Sequence, residues 1–220
     1  MPPGLADRVR PVSSTADRLV PVLPPLAALL PDGALRRGTS VVVAGRSGQG
    51  ASTLALALLA GATGHGHWAA AVGLADPGVA AMAELGIDLG RLALVPRPRA
   101  GWADAVATLL DGVDVVLVRP PGRPRPTATR HLVARVRERQ GVLVVLVERA
   151  EHWPEGPDVT LTPRSPGWSG LAEGHLRQRP AEVVAAGRRA GVPTCHRLWL
   201  PSATGTVAAR EPGPAPAGGG

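Results

Sequence analysis

The stretch VVVAGRSGQGASTLALALL, Val41 to Leu59, sets a β-branched run before Gly45, Gly48 and Gly50, then opens an apolar helix on Ser52 and Thr53. Residue types in this spacing handle phosphate. The glycines let backbone N–H groups face an oxyanion, and the helix that follows adds positive potential at its N-terminus. The full nucleotide pattern, G-x-x-x-x-G-K-[ST], also needs a lysine that reaches the terminal phosphates. Ala51 stands in its place. Arg46 carries charge early in the loop, but a planar guanidinium is a poor substitute for an ammonium point charge. Two readings follow. One is a degenerate nucleotide site on Gly45, Gly48, Gly50, Ser52 and Thr53, holding ATP weakly or not at all. The other is a tight strand-to-helix turn that binds nothing.

Hydrolysis would also require an aspartate at the end of a later buried strand to help hold magnesium. The matching strand, VDVVLVR, ends in Arg119, whose charge repels a metal ion, while Asp114 stands at the strand's entrance on the opposite edge. Asp76 lies in an Asp-Pro context that suits a turn or helix start better than activation of water. Lysine, metal acid and base are weak or missing together. No catalytic residue is assigned, no cofactor is expected, and the chain reads as a non-enzyme.

The elements that must position these residues alternate along a chain of 220 residues, enough for one medium domain with a sizeable core. TSVVVAG, HWAAAVGL, RLALVP, VDVVLVR and VLVVLVE read as strands, separated by helical segments at Ser52 to about Gly61, PGVAAMAELG, GWADAVATLLDG and TATRHLVARVRERQG. Continuous apolar strands separated by helices indicate a parallel sheet covered on both faces, a doubly wound α/β domain. After Glu148 come DVTLT, GHLRQR, AEVVAAG and CHRLWLP without a convincing helix, the pattern of an antiparallel extension on one sheet edge. Residues 1–22 read as a flexible arm, although STADRLVPVL has the means to dock locally. Residues 23–201 read as the core, and the Pro-, Gly- and Ala-rich residues 202–220 as a disordered tail.

The order LPDGALRRG, GRSGQGASTLALALL, WAAAVGLAD, AELGIDLGRLALVPRP, VDVVLVRPPG and HRLWLP resembles the RecA-type recombinase core, over about residues 22–201. Most closely it is similar to the actinobacterial RecA-like accessory proteins of the damage-induced mutasome, the ImuA-prime group. In the recombinases the positions matching Ala51 and Arg119 carry the phosphate-binding lysine and the metal-binding aspartate, and this chain departs at both. The long DNA-contacting loops of the recombinases are matched here by the short RPPGRPRPTATR and ERAEHWPEGPD. The resemblance implies a RecA-like fold and a non-catalytic accessory role in inducible translesion synthesis. The implied partners are a Y-family polymerase-like protein and an error-prone replicative-type polymerase.

A formal net charge of +7 suits an acidic partner. Against that, all 24 basic residues are Arg in a chain without Lys, Phe or Tyr, a composition that fits GC-rich codon bias. Five scattered tryptophans supply no aromatic platform for base stacking, so any DNA contact should be weak and nonspecific. Arg119, Arg123, Arg125 and Arg130, followed by Arg135, Arg137 and Arg139 on the next helix, form the densest basic stretch. Together with Trp199 and the tail they make the candidate partner surface; the competing reading is a solvated helix face behind a proline-stiffened loop. His65 and His67 lack a third metal ligand nearby, and Cys195 has only His196 beside it. A lone cysteine, no signal-peptide pattern and no apolar run of membrane-spanning length make a cytoplasmic protein the expectation. Two other functions stay open: an atypical ATPase using Arg46 and Ser52, and a damage-response regulator such as a cell-division inhibitor.

Overall fold

The computed structural model describes residues 16–172 and 175–211. Strands and helices follow in the order β1 (Leu19–Val20), α1 (Pro24–Ala27), β2 (Leu35–Arg36), β3 (Thr39–Ala44), α2 (Ala51–Gly64), β4 (Ala69–Val72), α3 (Val79–Glu84) and β5 (Leu92–Val95). They continue with α4 (Trp102–Leu109), β6 (Val115–Val118), α5 (Pro126–Arg139), β7 (Val142–Val147) and β8 (Val159–Arg164). The chain closes with β9 (Ser169–Ala172), β10 (His175–Gln178), β11 (Pro180–Ala186), β12 (Thr194–Trp199) and β13 (Ala208–Ala209).

Nine strands form the central sheet in the order β13-β12-β11-β8-β3-β7-β6-β4-β5. From β5 to β8 every pairing is parallel, and from β8 outward every pairing is antiparallel. This is the RecA-like doubly wound architecture, with its antiparallel extension on one edge. The reason is visible in β3, β4, β6 and β7, which are buried along their whole length. Val41, Val43, Ala69, Ala71, Val115 and Leu117 join the core on the α2 side, while Val42, Ala70, Val72, Val116 and Val118 join the core under α4 and α5. The alternating side chains of each strand thus feed two separate apolar layers. β8 differs from the expectation that it belongs wholly to the antiparallel part: it pairs parallel with β3 and antiparallel with β11, so it is where the sheet changes sense.

Helix α2 is apolar on every side because both of its faces are covered. The sheet takes one, and the segment carrying Val20, Val22, Leu26 and Leu29 packs in the same apolar core. The contact is close: a Cβ on Gly61 would lie 2.3 Å from the Val22 backbone, so only glycine admits the crossing chain. Residues 16–22, expected in the flexible arm, therefore belong to the folded unit, with β1 paired to β2. The rest of that arm, residues 1–15, lies outside the described residues.

The expected boundary at Pro201 is also corrected. Ser202 and Val207 are buried, the turn is closed by the Ser202 N–H donating to the Thr206 carbonyl at 2.7 Å, and β13 extends the sheet by pairing with β12. One bulky apolar residue suffices here because the pairing supplies the backbone partners and Val207 joins an existing core rather than building its own. Residues 212–220 of the expected tail lie outside the described residues. Among the described residues no helix is long and apolar enough to cross a membrane.

Candidate functional site

The glycine loop connects β3 to α2 at the carboxyl edge of the parallel strands, the edge on which open α/β sheets place their ligands. Gly48 and Gly50 hold φ of 83° and 92°, a left-handed backbone that suits glycine. That conformation turns the chain into α2, whose start has no side-chain cap. The N–H groups of Gly50, Ala51, Ser52 and Thr53 donate to no protein acceptor among the described residues. The loop thus makes the tight strand-to-helix turn that its glycines predict, with the first N–H groups of α2 left without a protein acceptor.

Gly45, Gly48, Gly50, Ser52 and Thr53 are brought together around one small, open cavity of about 100 Å³, which Arg46, Arg119, Glu148 and Arg179 also line. Ala51 is 4% exposed, its methyl packed in the apolar core. Arg119 sits where β6 ends, its N–H donating to the Val72 carbonyl at 2.9 Å, and its exposed side chain lines the same cavity. The residue standing at the metal position is therefore a cation that faces the loop. Asp114 lies at the other edge. It accepts from Arg37 Nη2 at 2.6 Å and from the Trp68 N–H at 3.0 Å. Burial raises its carboxyl, but the Arg37 hydrogen bond, the Trp68 N–H and the charges of Arg37 and His67 outweigh that and hold it below its ordinary value.

Arg179, between β10 and β11, is the residue that sequence reasoning missed. It is 5% exposed. Its Nε donates to the Leu200 carbonyl at 2.7 Å, its Nη2 to Thr53 Oγ1 at 2.8 Å and its Nη1 to the Gly48 carbonyl at 3.5 Å. The guanidinium also lies 4.7 Å from the Trp168 ring centroid, a cation–π distance. Burial pushes its pKa down, yet a guanidinium stays protonated at any physiological pH. No local signal in HLRQRP marks it; the antiparallel extension carries it to a loop 130 residues away in the chain, roughly, through the fold of the sheet.

The candidate partner residues are not all brought together. Arg119 and Arg123 line one groove on the carboxyl edge, where Arg123 Nη2 lies 3.3 Å from His152 Nε2. Arg125 precedes α5 and Arg130 pairs with Glu155 at 3.4 Å. Trp199 is on β12, five strand steps from β6, roughly 24 Å at the usual strand spacing. It packs instead with Arg210, 5.3 Å from its ring centroid. Farther along α5, Arg135 and Arg139 both pair with Asp111, so that part of the basic stretch is internally neutralised. The sequence could not show two further arginines: Arg97 and Arg99, after β5, line a larger cavity shared with Arg119 and four prolines.

A family model described as the MT3502 N-terminal domain matches residues 28–155, which include the glycine loop and Arg119. A Mycobacterium tuberculosis protein described as uncharacterized protein Rv3395c is 40% identical over 97 residues, 44% of this chain and 48% of that protein. The chain thus spans about half the length of the curated relative it matches.

Proposed function

The chain belongs to the MT3502 N-terminal domain family, and from that premise we propose that it is a non-catalytic RecA-like accessory protein of DNA-damage-induced translesion synthesis. Its role is to bind a Y-family polymerase-like protein and, with it, an error-prone replicative-type polymerase. The similarity to a mycobacterial protein is compatible with an actinobacterial component of this kind. One observation carries the reading: Arg119 occupies the metal-acid position and lines three adjoining cavities at the carboxyl edge, one of them the glycine loop. A cation there opposes magnesium and offers charge to an acidic surface. Arg97, Arg99 and Arg119 form no ion pair among the described residues, so their charge is available to a partner.

The recognition chemistry is an exposed acidic segment of the polymerase-like protein docking on guanidinium groups set between prolines. Affinity purification of the full chain from damage-treated cells should recover the polymerase-like partner. Reversing Arg97, Arg99 and Arg119 to Glu should abolish the recovery while leaving the far-UV circular dichroism unchanged. Recovery of no mutasome component with the wild-type chain overturns the proposal, and so does steady ATP turnover by the pure protein.

A further inference from the structure

We infer that the crevice between the loops following β4, β5 and β6 is a receptor for a short extended acidic peptide, a few residues carrying one apolar side chain between carboxylates. Whose chain carries that segment follows from the accessory-protein reading, on which this proposal rests; the chemistry that selects it does not.

Strand order builds the crevice. β4 lies between β6 and β5, so the loop after β4 forms a floor, and the loops after its two neighbours, residues 119–122 and 96–99, form the walls. The walls stand two strand steps apart, roughly 10 Å at the usual spacing, which admits one extended chain. The floor is held low. Gly73 has φ of 82°, and any Cβ there would collide with the Arg119 carbonyl, while Ala75 carries only a methyl. The Gly73 N–H donates to the Val95 carbonyl and the Arg119 N–H to the Val72 carbonyl, both at 2.9 Å, so the three loops leave the sheet from fixed points. Pro96, Pro98, Pro120 and Pro121 stiffen the walls, which leaves little ordering to be done on binding.

The lining selects the ligand. Arg97, Arg99 and Arg119 are exposed and form no ion pair among the described residues. No carboxylate lines the crevice, and Asp76, next to Ala75 in the chain, stands outside it. Three cations without a counter-charge call for carboxylates, and the proline rings above the Gly73 and Ala75 floor offer an apolar seat between them. Arg99 holds φ of 51°, a left-handed backbone that glycine would adopt at lower cost, so a charge is kept there against the local preference. The volume of about 490 Å³ falls in the range of about 300–1,000 Å³ that takes a compact ligand, a few residues of a linear segment and not the face of a domain. Single-stranded nucleic acid also carries negative charge, but its bases need aromatic platforms. No aromatic side chain lines the crevice, and Trp102, close to Arg99 in the chain, is buried in an apolar layer of the core.

The test is fluorescence anisotropy with the full chain. The probe is a labelled synthetic peptide with aspartates on both sides of a single leucine; the controls are the same peptide with glycine for leucine and an oligothymidylate of equal charge. The leucine peptide should bind with a Kd on the order of 10 μM at physiological salt, as small transient contacts do. Its glycine counterpart should bind about fivefold more weakly. Arg97→Gln, Arg99→Gln and Arg119→Gln should each weaken binding about twofold to fivefold. Ala75→Trp fills the floor without touching a charge and should weaken the leucine peptide about tenfold. Should that variant fail to fold, the arginine variants, at exposed positions, decide. Unchanged affinity in all three of them sinks the idea. Equal affinity for the leucine and glycine peptides reduces the crevice to unselective charge and overturns it, and so does an oligothymidylate bound more tightly than the leucine peptide, which would make this a nucleic-acid groove. The two readings fail separately. Peptide binding with no mutasome component recovered from cells leaves the crevice standing and removes the polymerase-like partner, whereas recovery undiminished by Ala75→Trp keeps that partner and moves its contact elsewhere.

Discussion

The two edges of the parallel sheet use arginine in opposite ways. At the amino edge each charge is tied to structure: Arg37 and His67 meet Asp114, Arg188 and Arg189 meet Asp158, and both aspartates also accept a backbone N–H from a neighbouring strand or its approach. At the carboxyl edge Arg46, Arg97, Arg99, Arg119 and Arg179 line cavities and meet no carboxylate in ion-pair contact among the described residues. The same residue type, abundant through composition, thus closes the sheet on one side and stays available around the cavities of the other, where only peripheral arginines such as Arg130 and Arg149 meet Glu155 and Glu151. Net charge alone cannot separate the two uses, because it sums paired and unpaired arginines alike.

The comparison breaks first at its paired edge. Asp114→Ala leaves Arg37 and the Trp68 N–H without their acceptor and should cost about 2–3 kcal/mol in urea unfolding, short of the figure for a wholly buried pair. Glu148→Ala on the carboxyl edge should change stability by less than about 0.5 kcal/mol. Equal losses at the two positions would erase the distinction. Next in size is the end of the chain. Truncation after Pro201 removes Val207 from the core and β13 from the sheet and should lower stability by about 2 kcal/mol in urea unfolding. A deletion meant to probe partner binding must therefore spare Val207 and β13.

Acid sharpens the same contrast on a smaller scale. Because the folded carboxyl of Asp114 is held below its ordinary value, its contribution is fully present above the unfolded-state value of about 3.9 and is lost as pH falls through the lower folded value. Unfolding followed from pH 5 to pH 2.5 should show an acid-induced loss that is smaller in Asp114→Asn, the remainder coming from Asp32 and Asp111, whose carboxyls are also held low by arginine hydrogen bonds. The smallest effects belong to the unpaired edge: Arg97→Gln and Arg119→Gln should each move stability by less than about 0.5 kcal/mol. A clear destabilisation by either would mean that its charge is already used within the fold.

The glycine loop, the parallel strands and the switch to short strands after Glu148 are legible in the sequence because each has a local cause. Positive φ calls for glycine, burial on both faces calls for continuous apolar runs, and α2 is apolar all round because it is covered on both sides. Ala51 and Arg119 are equally legible as departures from a pattern whose spacing is fixed. Val22 crossing Gly61, Val207 docking beside α3 and Trp199 lying far from the arginine loop are not, since each depends on which strands become neighbours. Arg179 is the clearest case. The chain itself determined that the loop would lack its lysine, a matter of one residue type at one position. Only the tertiary structure decided that another cation would stand over the loop, because β11 reaches it through pairing with β8, which lies beside β3, and hydrogen-bonded strand order brings together residues that no local periodicity connects.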